Sequence, residues 1–202
     1  MSGGCGDQIG PLSANETVFI VSRAVKGAGA PFGLGEDIAG GVVWLARRGE
    51  PAAAALADAL ERFAAAKSSA ALAFETGAEG GQLVTTDGKP ASALFAGSAA
   101  ADWLQIGCGR RALDVSQVDQ PLLAAAVAAA ILQRLGGLLQ FHGHDRITYD
   151  GADRRSAATD DHAIMMDRPA WQVVQSFFAQ ALVPATTESR THGAGAGLVD
   201  RD

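Results

Sequence analysis

The stretch Ser69-Ala-Ala-Leu-Ala-Phe-Glu-Thr-Gly-Ala-Glu-Gly-Gly-Gln-Leu-Val-Thr-Thr-Asp-Gly88 decides how this chain is read. Ala70–Glu75 and Gln82–Thr86 are short apolar or alternating runs. Thr76-Gly77, Gly80-Gly81 and Asp87-Gly88 bound them with turn-forming residues, which is strand-and-turn patterning. Asp87-Gly88 reads as a hairpin turn, because glycine supplies the positive φ that such turns need. Downstream, Ser92–Ala96, Trp103–Ile106 and Ala112–Val115 continue the same texture, with Gly107–Gly109 as a further break. An apolar helix over Leu122–Leu135 interrupts it. Leu138–His142 and Arg146–Tyr149 then read as a hairpin around Gly143.

Upstream of Ser69 the pattern is helical. Ser13-Ala-Asn-Glu16 is a capping box, in which the serine accepts from the Glu16 amide and the glutamate reaches back. Ala14, Val18, Val21 and Val25 form a stripe, so a helix is predicted from Ser13 to Lys26, stopping at Gly27. Gly27-Ala-Gly-Ala-Pro-Phe-Gly33 is a turn-rich connection. A second helix follows, with Glu36 and Asp37 in its first turn and Arg47 and Arg48 in its last, complementing the helix dipole. Leu34, Ile38, Val42 and Leu45 give its buried stripe, and Gly49 its left-handed stop. Gly40 and Gly41 fall mid-helix, where each costs about 1 kcal/mol against alanine. That cost predicts close approach of another backbone, or else a kink. Pro51 opens a third helix running to Ala66.

At the other end, Asp150–Asp167 is polar and reads as a loop. A last amphipathic helix carries Trp171, Val174, Phe178 and Ala181 on one face, with Pro169 near its start and Pro184 as its stop. A block of helices followed by a block of short, mostly antiparallel strands argues an α+β fold over a doubly wound sheet. The organisation expected is one domain over residues 1–202, with a loose lead-in at 1–11 and a Gly/Ala-rich tail at 184–202.

Composition narrows the function classes. The net charge is −6 at neutral pH and the basic residues fall in isolated pairs, Arg47–Arg48, Arg110–Arg111 and Arg154–Arg155. A nucleic-acid binder needs a basic stripe, so no nucleic-acid partner is expected. Leu122–Leu132 is the longest uninterrupted apolar run, far short of the ~20 residues a membrane helix needs. The start Met1-Ser-Gly-Gly-Cys5 has neither the basic region nor the apolar run of a secretory signal. Two cysteines, Cys5 and Cys108, make no disulfide framework and no CxxC motif. The expectation is a reducing, cytoplasmic setting.

Three segments carry a resemblance. They are Leu12-Ser-Ala-Asn-Glu16 with its helix, Gly27-Ala-Gly-Ala-Pro-Phe-Gly-Leu-Gly-Glu-Asp37, and Val183-Pro-Ala-Thr-Thr-Glu-Ser-Arg190 running into Gly193-Ala-Gly-Ala-Gly197 and Asp200. In this order and spacing the chain resembles an uncharacterised bacterial family, a domain of unknown function of about this length. The likeness runs along nearly the whole chain, with the C-terminal segment its most specific part. It implies a bacterial, cytoplasmic, single-domain protein and transfers no activity and no catalytic residue.

Three places are candidates for a site. The first is Ser189, Arg190, Gly193, Gly195, Gly197 and Asp200. Glycines let backbone amides gather round an anion, and Arg190 adds a bidentate grip on carboxylate or phosphate. The alternating glycines do not match a dinucleotide or P-loop fingerprint, and a tail that simply crosses the surface is the competing reading. The second is the Gly27–Asp37 segment, whose helix-opening amides suit an anion while Glu36 and Asp37 repel one. The third is His142-Gly-His144 with His162. Two histidines two residues apart share a strand face and make a metal pair, with Asp160 or Asp161 completing the set. Polar residues of a hairpin turn are the plainer explanation.

Cys108, between two glycines, lacks an evident base. Carboxylates adjacent in sequence, such as Asp160–Asp161, diverge and do not form an acid–base pair. No GxSxG is present. The reading that follows is a non-catalytic accessory or small-ligand-binding module associated with a metabolic enzyme, acting with a partner enzyme or as a homo-oligomer. The alternative is an enzyme acting on a small anionic metabolite, with Arg190 orienting it and the histidines assisting through a metal. No cofactor is specified by the sequence.

Overall fold

The computed structural model describes residues 7–77, 80–106, 110–142, 145–150 and 163–182. In chain order the elements are β1 (Gln8–Leu12), α1 (Ala14–Gly27), α2 (Leu34–Ala46), α3 (Ala52–Ala64), β2 (Leu72–Gly77), β3 (Gly80–Thr85), α4 (Ala93–Ile106), β4 (Arg110–Asp114), α5 (Pro121–Arg134), β5 (Leu138–His142), β6 (Arg146–Asp150), β7 (Ile164–Asp167) and α6 (Arg168–Gln180). The fold is α+β, as the sequence pattern argued.

The predicted capping box starts α1: Ser13 Oγ accepts from the Glu16 amide at 3.1 Å, and Glu16 accepts in return from the Ser13 amide at 3.3 Å. Gly49 takes the predicted left-handed conformation (φ 73°) after α2. Helix α2 ends at Ala46, so Arg47 is its C-cap and Arg48 lies just beyond it, not in the last turn where the dipole argument placed them. In α6 the face turned inward is Trp171, Val174 and Phe177. Phe178 is half-buried and packs on Phe19, with ring centroids 5.9 Å apart.

Four expectations about local structure are corrected. Ser92–Ala96 and Trp103–Ile106 are not strands; both fall in or at the start of α4. Leu94, Gly97, Ala101 and Leu104 are buried at spacings of three and four, the helical period. Asp87-Gly88 closes no hairpin. Gly88 does adopt φ 71°, and Asp87 accepts from the Lys89 amide, but this bend leads from β3 into α4. The lead-in at 1–11 contains β1, which pairs antiparallel with β7, the last part of the segment read as a loop. Finally, the helices do not precede the strands as a block, because α4 and α5 are interleaved with the sheet.

The main sheet has the order β2-β3-β4-β6-β5. Its neighbours are antiparallel except β3 and β4, which are parallel and joined through α4. Parallel neighbours need a crossover, and α4 provides it. Leu113, Ile147 and Phe141 share one row of the inner face. Leu113 and Ile147 are buried, and Phe141 packs on Trp44 of α2 at 5.1 Å between centroids. Helix α5 is apolar all round, with Leu123 to Ala129 buried without a break. It packs against α2, α4 and β5, as a helix with no polar face must.

Candidate functional site

Helices α2 and α5 meet along small residues. A Cβ on Gly41 would lie 2.8 Å from the Val127 backbone nitrogen, so the two backbones touch there. Asp37, one turn earlier in α2, pairs with Arg134 near the end of α5 at 2.7 Å. The two helices therefore run antiparallel.

Gly40 points elsewhere. Its nearest neighbour across the interface is the Ala130 Cβ, at an ordinary 3.6 Å from where its own Cβ would stand. A cleft of about 400 Å³ opens on this side, lined by Gly40, Val43, Trp44, Arg47, Arg48, Ala130, Gln133 and Arg134. These are one stripe of each helix, at spacings of three and four.

The Trp44 ring forms a wall of this cleft, fixed by Phe141 and by the Arg48 guanidinium 3.5 Å from its centroid. Arg48 also donates to the Trp44 carbonyl at 3.2 Å. Arg47 has no carboxylate partner among the described residues. Three guanidiniums thus gather on a chain whose net charge is −6. Sequence reading paired Arg47 with Arg48 but gave them only a dipole role. Arg134 could not be added, because it stands 87 positions from Arg47 and nothing local links them.

A second crevice of about 410 Å³ includes Arg62, Thr85, Lys89, Ser116 and Asp119. Two adjacent parallel bridges, Ser69 with Ala91 and Ala91 with Val118, join the chain just before α4 and α5 begin. Asp119 Oδ1 accepts from the Ala93 amide at 2.8 Å and so caps α4. Its Oδ2 is buried without a hydrogen bond, as are the hydroxyls of Ser68 and Ser92. Burial pushes the Asp119 carboxyl above its ordinary range, against the pull of the Ala93 amide, Ser68, the Gln120 amide and Arg62. Ser68 faces the carboxylate without closing a hydrogen bond to it. Gln120 and Arg62 both donate to Asp58 beside this crevice.

The third place is the outer face of the sheet. Glu75, Gln82, Asp114, Arg146 and His142 stand opposite one another in one row across all five strands. His142 Nε2 and Thr148 Oγ1 share a hydrogen bond of 2.9 Å. The hairpin predicted around Gly143 is present as β5 and β6, and His142 is exposed on it. Among the described residues no group of three His, Cys, Asp or Glu is arranged to hold a metal ion.

His144 and His162 lie outside the described residues, as do Cys108 and the tail residues Ser189, Arg190, Gly193, Gly195, Gly197 and Asp200. The Gly27–Asp37 segment is the connection between α1 and α2. Gly29 and Gly33 hold positive φ, and Gly35 lies against the Ser22 backbone. A cleft of about 460 Å³ there is bordered by Arg23, Lys26 and Glu36.

Residues 12–89 match the model of a family described as a protein of unknown function, DUF3726. The likeness to an uncharacterised family is thereby shown over α1 to β3. The C-terminal segment that carried it most specifically in the sequence lies beyond the matched residues. No curated protein and no solved structure matches the chain. No helix among the described residues is long and apolar enough to cross a membrane.

Proposed function

We propose that this chain is a non-catalytic module that binds a small anionic ligand in the cleft between α2 and α5, as a cytoplasmic accessory to a metabolic enzyme. One observation carries the reading: Arg47, Arg48 and Arg134 line a single concave site beside Trp44 on an acidic protein. Guanidinium groups are suited to carboxylate and phosphate because their donors match both oxygens at once. Concave sites with an apolar wall and few polar groups are where small ligands bind.

The test is thermal unfolding of the whole protein with inorganic phosphate, citrate, nucleotides and acyl-CoA esters. A ligand held only by the folded state, at 100 times its dissociation constant, adds about 2.7 kcal/mol. The expected result is a raised midpoint with at least one anion, lost in Arg47→Ala. An equal rise in wild type and Arg47→Ala would overturn the site.

The enzymatic reading has one observation in its favour, the partly buried Asp119 carboxyl beside Arg62 and Lys89 in the second crevice. Carboxyls raised by burial inside a cleft are candidates for proton transfer. Turnover of an anionic metabolite lost in Asp119→Asn, with the fold intact, would favour it over the binding module.

A further inference from the structure

The α2–α5 cleft has unlike ends. At one end Arg134 is already matched by Asp37 at 2.7 Å, so its charge is largely answered. At the other end Arg47 and Arg48 follow the last turn of α2, and Arg47 meets no carboxylate among the described residues. Between them the lining is Gly40, Val43, Trp44 and Ala130, with no charge. Gly40 and Arg47 are seven residues apart, which along a helix is about 10 Å.

We infer that the ligand of this cleft is an amphiphile, with a single carboxylate or phosphate head at Arg47 and an apolar body lying over Gly40, Val43 and Ala130. This rests on the proposal that the cleft binds an anion and narrows it to one class. The bare backbone of Gly40 is what leaves the floor open. A Cβ there would only touch Ala130, whereas one on the neighbouring Gly41 would strike the Val127 backbone. The interface therefore requires glycine at 41, while glycine at 40 serves the space beside it.

The experiment is calorimetric titration of the whole protein with acetate, butanoate, hexanoate and octanoate, and with inorganic phosphate and octyl phosphate. An apolar body in contact with the floor should tighten binding about three- to fourfold per methylene. Gly40→Leu should abolish that gain, and Arg47→Ala should weaken every member. If acetate and phosphate bind and chain length adds nothing, the amphiphile is overturned and the anion site stands. If chain length tightens binding equally in wild type and Gly40→Leu, the apolar contact lies elsewhere and the inference falls. If none of the six anions binds, both readings fall. Should Gly40→Leu not fold, Ala130→Leu, which fills the same floor from α5, takes its place in the comparison.

Discussion

Gly41 of α2 sits directly against Val127 of α5, with no room for a methyl group between them. On the opposite side of the same valine stands Gly97 of α4, whose missing Cβ would fall 2.5 Å from the Val127 Cβ. One side chain of the buried helix is therefore clasped by two glycines from two other helices. This wedge sets how closely α2 and α4 approach α5.

Adding a methyl at Gly41 forces backbone atoms apart, so Gly41→Ala should cost about 1–3 kcal/mol, the usual range for overpacking. Gly40→Ala has room and should gain up to about 1 kcal/mol from helix propensity. Urea unfolding midpoints of the two variants should move in opposite directions. Combining Gly41→Ala with Val127→Ala should cost less than the sum of the two single changes, because contacting residues are not additive.

Asp119 closes the first turn of α4 from 26 positions away. Its replacement by alanine should cost about 1 kcal/mol, as for other lost caps, with asparagine largely retaining the cap. Urea midpoints of the two variants at neutral pH make the comparison.

The same carboxyl predicts a pH dependence of definite sign. Burial raises its folded-state pKa above the unfolded value. The folded state then holds this proton more tightly, so the contribution is fully present below the ordinary carboxylate pKa of about 3.9. It is lost as pH rises through the folded-state value. Urea midpoints from pH 3 upward should show wild type losing ground against Asp119→Asn as pH rises. An unchanging difference would mean the carboxyl titrates alike in both states.

Arg134 and Asp37 form a largely exposed ion pair, with side chains 57% and 34% accessible. Such pairs contribute about 0–1 kcal/mol. Arg134→Ala should leave the melting temperature nearly unchanged, so any loss of anion binding in that variant reports on the site and not on folding.

Ser13→Ala removes the side-chain acceptor of the Glu16 amide at the start of α1 and should cost about 1 kcal/mol. Glu16→Ala should cost less, since its own bond to the Ser13 amide is longer and exposed. Thermal unfolding of both variants measures the difference.

Local chemistry made much of the fold legible before any coordinates. The capping box at Ser13, the stop at Gly49, the apolar run of α5 and the β5–β6 hairpin each depend on residues a few positions apart. The close approach at Gly41 was legible in part: the sequence marked Gly40 and Gly41 alike, for close approach or a kink, and only Gly41 meets another backbone. Helix α4 was not legible. Its alanines, with Gly97 and Ser98 among them, break into short runs that resemble strands. Its N-terminus is capped by Asp119, which the sequence around Ser92 does not contain. The strand β1 was hidden for the same reason, since its partner among the described residues is β7, some 150 residues away.

The candidate site divides in the same way. Sequence alone determined an acidic α+β chain with its helical start, its lack of a basic stripe, and the pairing of Arg47 with Arg48. Only the tertiary structure decided that Arg134 and Trp44 share one cleft with them, and that one oxygen of Asp119 is buried facing the unpaired Ser68 hydroxyl. Hydrophobic period and capping act over a turn or two, so one strand of text contains them. A cleft is made by the antiparallel crossing of two helices, and that crossing is settled by which glycine lies against which valine.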